Sequence, residues 1–172
     1  MGFKLTGIVI DKNFEKDLPE LFELLNINDF AFEKDSTFDE ESFDILEDEN
    51  LSIGFFGKGT FLSTGITLMT SDELLKAASK NHRIASFYVN DTTSTYCFDY
   101  FYKGEYLRKK WISHSDKNID SSSNFGEQLP CEKDTDDDLD NALNVISFVL
   151  DKNFYEIDED APMIRFEKSS SL

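Results

Sequence analysis

The stretch STYCFDYFYKGEYLRKKWIS, residues 94–113, decides the fold class of this chain. Two runs rich in aromatic and β-branched residues, 94–102 and 105–113, flank Lys103-Gly104, a compact turn signal. A two-residue loop sets Tyr102 opposite Glu105, Tyr100 opposite Leu107, Asp99 opposite Arg108 and Tyr96 opposite Trp111. One face then carries Tyr96, Phe98, Tyr100, Tyr102, Leu107 and Trp111, and the other an opposite-charge pair, Asp99 with Arg108. Register and chemistry agree on an antiparallel hairpin.

The same reading extends outward. FKLTGIVI (3–10), DFAFE (29–33), RIASFYV (83–89) and MIRF (163–166) read as strands, and LSIGFF (51–56) with TFLSTGITL (60–68) as a second hairpin about Gly57-Lys58-Gly59. Asp17-Leu-Pro-Glu20 opens a short amphipathic helix carrying Leu18, Leu21, Phe22 and Leu25. Thr70-Ser-Asp-Glu73 is a capping box for a helix with Leu74, Leu75 and Ala78 inside. Thr135 caps a third helix, striped by Leu139, Ala142, Leu143, Ile146, Val149 and Leu150. Residues 114–131 read as a long polar loop. The expected fold is α+β, a mainly antiparallel sheet with about three helices packed on one face. A single domain is expected over 1–168, with an unstructured tail at 169–172.

Seventeen phenylalanines, six tyrosines and one tryptophan supply a core. The formal net charge of −18 is unevenly placed. Residues 29–50 hold ten acids and one lysine, 132–140 six and one, and 151–160 five and one, which accounts for the whole excess. Such a surface repels nucleic acid and anionic membrane and steers a basic partner. Lys103, Arg108, Lys109 and Lys110 cluster on one hairpin, where they read as partners for the chain's own acids. No run approaches the ~20 apolar residues of a membrane span, and the N-terminal stretch lacks the h-region of a secretory signal. Gly2 and Thr6 match the letters of a myristoylation signal, but the strand reading accounts for them. Frequent Asn and an excess of Lys over Arg suggest a bacterial source, and two cysteines without a CxxC fit a reducing cytoplasm.

Specific chemistry is sparse. SIGFFGKG (52–59) lacks the first Gly and the final Ser/Thr of a phosphate loop and leads into a strand. Asp134, Asp136, Asp138 and Asp140 alternate like a calcium loop, yet Leu139 stands where Gly is needed and Val145 where a bidentate Glu belongs. His82 and His114 stand outside any metal-ligand spacing, and Cys97 and Cys131 read as incidental. No catalytic residue, metal or cofactor is assigned, and the chain reads as non-enzymatic.

The aromatic hairpin FDYFYKGEYLRKKW (98–111), the loop closing on GEQLPCE (126–132) and the acid-capped helix behind it resemble small acidic bacterial immunity proteins of toxin systems. The resemblance implies an inhibitor that binds a basic toxin and occludes its active site. The residues expected to make that contact are Asp39, Glu40, Glu41, Asp44, Glu47, Asp48, Glu49, Asp136, Asp137 and Asp138, with Tyr155 as aromatic anchor. The alternative is a scaffold or interaction module with no toxin connection.

Overall fold

The computed structural model describes residues 4–42, 45–114, 121–133 and 135–169. The elements run β1 (Lys4–Ile10), α1 (Leu18–Leu24), β2 (Phe30–Thr37), α2 (Phe38–Ser42), β3 (Asn50–Phe56), β4 (Gly59–Thr64), α3 (Ile66–Met69), α4 (Asp72–Ala78), β5 (Ile84–Asn90), β6 (Thr95–Tyr102), β7 (Glu105–Ser113), β8 (Ser121–Phe125), α5 (Asp138–Leu150) and β9 (Pro162–Lys168). Short 3₁₀ turns at Pro130–Glu132 and Phe154–Glu156 bracket α5. Among the described residues the strands form one nine-stranded sheet in the order β2-β9-β3-β4-β1-β5-β6-β7-β8. Every pairing is antiparallel. The α+β class and the large antiparallel sheet are therefore observed.

Strand alternation sends successive side chains to opposite faces, and two apolar clusters result. On one face Leu5, Val9, Phe61, Phe87, Phe98 and Tyr100 pack against α5 through Ala142, Leu143, Ile146, Val149 and Leu150. Full burial of each of the Leu, Ile and Val side chains among them stabilises the fold by about 1.5–3 kcal/mol. On the other face Ile8, Ile10, Ile53, Leu62 and Ile84 meet Leu21 and Leu25 from and after α1 and Leu75 and Ala78 from α4. The helices thus divide between the two faces instead of gathering on one. Residues with apolar side chains on both faces are what a central strand such as β1 contributes, and FKLTGIVI has that composition.

The deciding hairpin forms, with its turn at Lys103-Gly104, but its register differs from the simple two-residue count. Tyr102 faces Glu105 as expected, while Tyr100 faces Arg108, Asp99 faces Lys109, Cys97 faces Trp111 and Tyr96 faces Ile112. The shift falls between Tyr100 and Phe101, where Leu107 is the extra residue of a β-bulge. Arg108 and Lys110 consequently face α5, and Lys109 and Trp111 face the opposite side.

Arg108 heads the fully buried side chains by size. Its Nε and Nη2 donate to Glu132 at 2.9 and 2.7 Å, and its Nη1 donates to Asn124 and to the Phe125 carbonyl at 2.9 Å. Glu132 also accepts the Leu129 N–H at 2.6 Å. The pair expected between Asp99 and Arg108 is replaced by Arg108–Glu132 and by Asp99 beside Lys109. Gly126, at φ +81°, closes against the Leu107 carbonyl, where a Cβ would collide.

Other local expectations shift for identifiable reasons. TFLSTGITL stops being a strand at Thr64, because Asp48 accepts from the Thr67 N–H at 2.9 Å and from its hydroxyl, starting α3. Thr70 and Ser71 then donate back to the Ile66 and Thr67 carbonyls rather than capping α4. α5 is capped by Asp137, whose side chain accepts the Asp140 N–H, while the Thr135 hydroxyl accepts from Asp137. Residues 121–125, within the expected loop, form β8. Of the expected tail, Ser169 donates to the Asp29 carbonyl at 2.7 Å and residues 170–172 lie outside the described ones.

Candidate functional site

Tyr155 is the residue around which part of the expected contact set gathers. Asn153 starts the 3₁₀ turn by accepting the Tyr155 N–H at 3.1 Å. Phe154 turns inward onto Phe38, ring centroids 5.7 Å apart, which directs the next side chain out. Tyr155 is 58 % exposed. Its hydroxyl donates to Asp140 at 2.8 Å, joining the turn to the first turn of α5. Partial burial first, then the Asp140 bond and the charges of Asp140, Asp137 and Asp91, push the phenol up to about 12.

Beside the ring lies a cleft of about 130 Å³ lined by Phe38, Asp39, Ser42, Ile157 and Glu159 among others. The Asp39 N–H donates to the Glu159 carbonyl at 2.9 Å, tying α2 to this loop. Asp39, Asp137, Asp140 and Glu159 therefore surround one exposed aromatic. Asp140 and Glu159 were not among the expected contact residues. Asp140 lies three residues beyond the cap, the spacing at which it shares a helix end with Asp137.

The remaining expected residues distribute differently. Asp136 is exposed beside the cap. Asp138 pairs with Lys110 at 2.9 Å, with His114 Nε2 at 3.8 Å. Glu40 is exposed, and the Ser36 hydroxyl at 2.7 Å holds its carboxyl below the usual range. Glu41 is not on the surface at all. It is 1 % exposed, accepts from Ser36 and lies 3.4 Å from Arg165, which also meets Glu33 at 3.0 Å. Asp48 is held below the usual carboxylate range, first by the Thr67 hydroxyl and then by its N–H. Glu47 and Glu49 are exposed near the Lys168 end of β9, where the Lys168 N–H meets the Glu49 carbonyl at 2.7 Å. Asp39 lies by the Pro162 end of that strand, about 20 Å away at the rise of a β-strand. The structure thus joins Asp39, Asp136, Asp137 and Tyr155 in one region and sets Glu47, Asp48 and Glu49 apart from it. Asp44 lies outside the described residues.

Among the described residues no group of three or more His, Cys, Asp or Glu side chains is placed to hold a metal ion. No described helix is long and apolar enough to cross a membrane. Compared with family models, characterised proteins and solved structures, the chain matches none.

Proposed function

We propose that this chain is a non-enzymatic binding protein that docks a basic protein partner on the acidic face around Tyr155. The observation that carries the reading is an exposed aromatic ring held by Asp140 and flanked by Asp39, Asp137 and Glu159. An aromatic anchor inside a charged rim is the arrangement in which one side chain supplies affinity and the surrounding charge supplies encounter rate and selectivity. The resemblance to immunity proteins gives the proposal its sharpest form, a bacterial cytoplasmic inhibitor covering the active site of a basic toxin. The same field disfavours nucleic acid and anionic membrane as partners.

The test is affinity capture from the source cells at low salt and at about 0.5 M salt, where the screening length falls to a few ångströms. One basic protein recovered at one-to-one stoichiometry, weakened by salt, is the expected result. Tyr155→Ala should weaken it by about 30-fold or more, the scale of an aromatic anchor. A partner that Tyr155→Ala retains at full affinity, or an eluate without any stoichiometric basic protein, overturns the proposal.

A further inference from the structure

On the sheet face opposite α5, a cavity of about 380 Å³ opens between α3 and strands β5, β6 and β7. That volume falls in the range of small-molecule sites. Three rungs of the sheet make its floor. Thr95 and Ser113 form one end, their hydroxyls 3.0 Å apart. Tyr88, Cys97 and Trp111 form the middle rung, and Ile66 and Met69 of α3 overhang it. Asp99 and Lys109 form the other end. The span is about 13 Å, four residues of strand.

The walls are apolar, and burial pushes the Cys97 thiol up to about 12, so it stays a neutral surface. Ile66 and Trp111, at the mouth, are 50 % and 44 % exposed. With Met69, Tyr88 and Cys97 behind them, they continue the apolar lining of the cavity out to its rim, as in a concave ligand site.

The charged end sets the chemistry. Asp99 is 8 % exposed and accepts the Tyr106 hydroxyl. Lys109 Nζ stands 3.9 Å from it, beyond hydrogen-bond reach, and makes no hydrogen bond within the described residues. A carboxylate acceptor and an ammonium donor therefore lie side by side. An anionic ligand would meet Asp99 and the field of a chain at −18; a cationic one would meet Lys109. A neutral group with adjacent N–H and C=O satisfies both at once. Beside the cavity, the Ser86 hydroxyl, in register with Asp99 at this end, and the Thr6 hydroxyl, in register with Tyr88 of the middle rung, are buried without a hydrogen-bond partner among the described residues. Polar capacity next to the cavity exceeds what the fold uses.

We infer that this cavity binds a neutral, flat aromatic heterocycle bearing a lactam-type N–H/C=O edge. The ring lies against Trp111 and Cys97, the N–H donates to Asp99, and the C=O accepts from Lys109. The site is independent of the acidic face.

Trp111 is the single tryptophan and reports on its own cavity. The purified chain is titrated with 2-quinolone, a neutral two-ring lactam, and with 2-naphthoate and 2-naphthylmethylamine as charged counterparts of similar size. Binding is read from Trp111 fluorescence and from saturation-transfer NMR. The expected result is saturable one-to-one binding of 2-quinolone, at least about tenfold tighter than either charged probe. Cys97→Phe, which fills the middle rung, should abolish it with the thermal midpoint maintained. Lys109→Met, at the partly exposed rim, should weaken the lactam about tenfold and strengthen the amine. Should Cys97→Phe not fold, Lys109→Met carries the test alone. No saturable 2-quinolone binding at millimolar concentration, equal binding of a charged probe, or unchanged binding by a folded Cys97→Phe or by Lys109→Met overturns the inference.

Discussion

The Tyr155 face and the Trp111 cavity are built from opposite solutions to the same problem, an aromatic side chain left in contact with water. Around Tyr155 the neighbouring charges are unbalanced, so the region projects a field. Around Trp111 they are paired as Asp99 and Lys109, so the region projects little beyond a shape. Excess charge suits encounter with a large basic surface, and balanced charge in a concavity suits a compact neutral ligand. Strand β7 separates the two. Its Lys110 reaches Asp138 at the acidic end of α5, while Lys109 and Trp111, the residues on either side of Lys110, line the cavity.

The sharpest way to break this contrast is at Arg108, which ties β7 to β8 and to the turn before α5. Arg108→Met leaves Glu132 buried and unpaired, and should destabilise the fold by about 3–5 kcal/mol. Urea unfolding measures this, and both faces should loosen together. Arg108→Met combined with Glu132→Leu should recover part of the loss, because it removes the stranded charge but leaves the Leu129 N–H and the Phe125 carbonyl without these partners. A loss confined to one face would show that β7 does not couple them.

How far the sequence foretells these regions follows from where partners lie along the chain. The hairpin turn at Lys103-Gly104 is legible because Gly and its neighbours determine it locally. The bulge at Leu107 is not, because no residue type announces it, and the partner that stabilises the shifted register, Glu132, is 24 residues from Arg108. β8 is an edge strand of Ser and Asn with no apolar alternation, so periodicity reads SSSNF as loop. Charge counting finds the acidic segments, but cannot separate Glu41, buried beside Arg165, from Asp39, exposed two residues earlier. The cavity goes unseen because Cys97, Asp99, Lys109 and Trp111 share a face only after the bulge.

Cysteine chemistry sharpens the cavity side. Lifting the Cys97 thiol from an ordinary 9 to about 12 leaves it about a thousandfold less thiolate at mildly alkaline pH. Iodoacetamide should therefore alkylate Cys97 only after denaturation, as followed by peptide mass spectrometry. Rapid labelling in the native state would mean that the thiol is not held neutral.

Alkali acts on the other side. Burial first and hydrogen bonding to Asp91 second raise Tyr96 to about 12, as burial and Asp140 raise Tyr155. The unfolded chain loses these protons near pH 10 and the fold near 12. The stability they lend is thus complete below pH 10 and is lost as pH climbs from there towards 12. Urea midpoints should fall across that window, and less steeply in Tyr155→Phe. A midpoint flat to pH 11.5 would contradict the raising of both phenols, and an unchanged slope in Tyr155→Phe would contradict that of Tyr155.

The smallest effect separates two adjacent acids. Asp137→Ala removes the α5 cap and should cost about 1 kcal/mol. Asp136→Ala, exposed, should change stability by less than about 0.5 kcal/mol. Both should reduce the salt sensitivity of partner binding alike, since each removes one charge from the same face. Equal stabilities would mean that the two carboxylates are interchangeable.

The bulge at Leu107 also gives β7 a one-residue tolerance in length. Removing Leu107 leaves Tyr106 opposite Phe101 and Arg108 opposite Tyr100, so a lost codon there keeps every β6–β7 pair in place. A codon lost at Lys110 would instead reverse the alternation of all that follows, turning Trp111 towards α5 and Ile112 towards the cavity. Across descendants of this chain, length variation in β7 should therefore collect at a single position, and the strand's history would be recorded there.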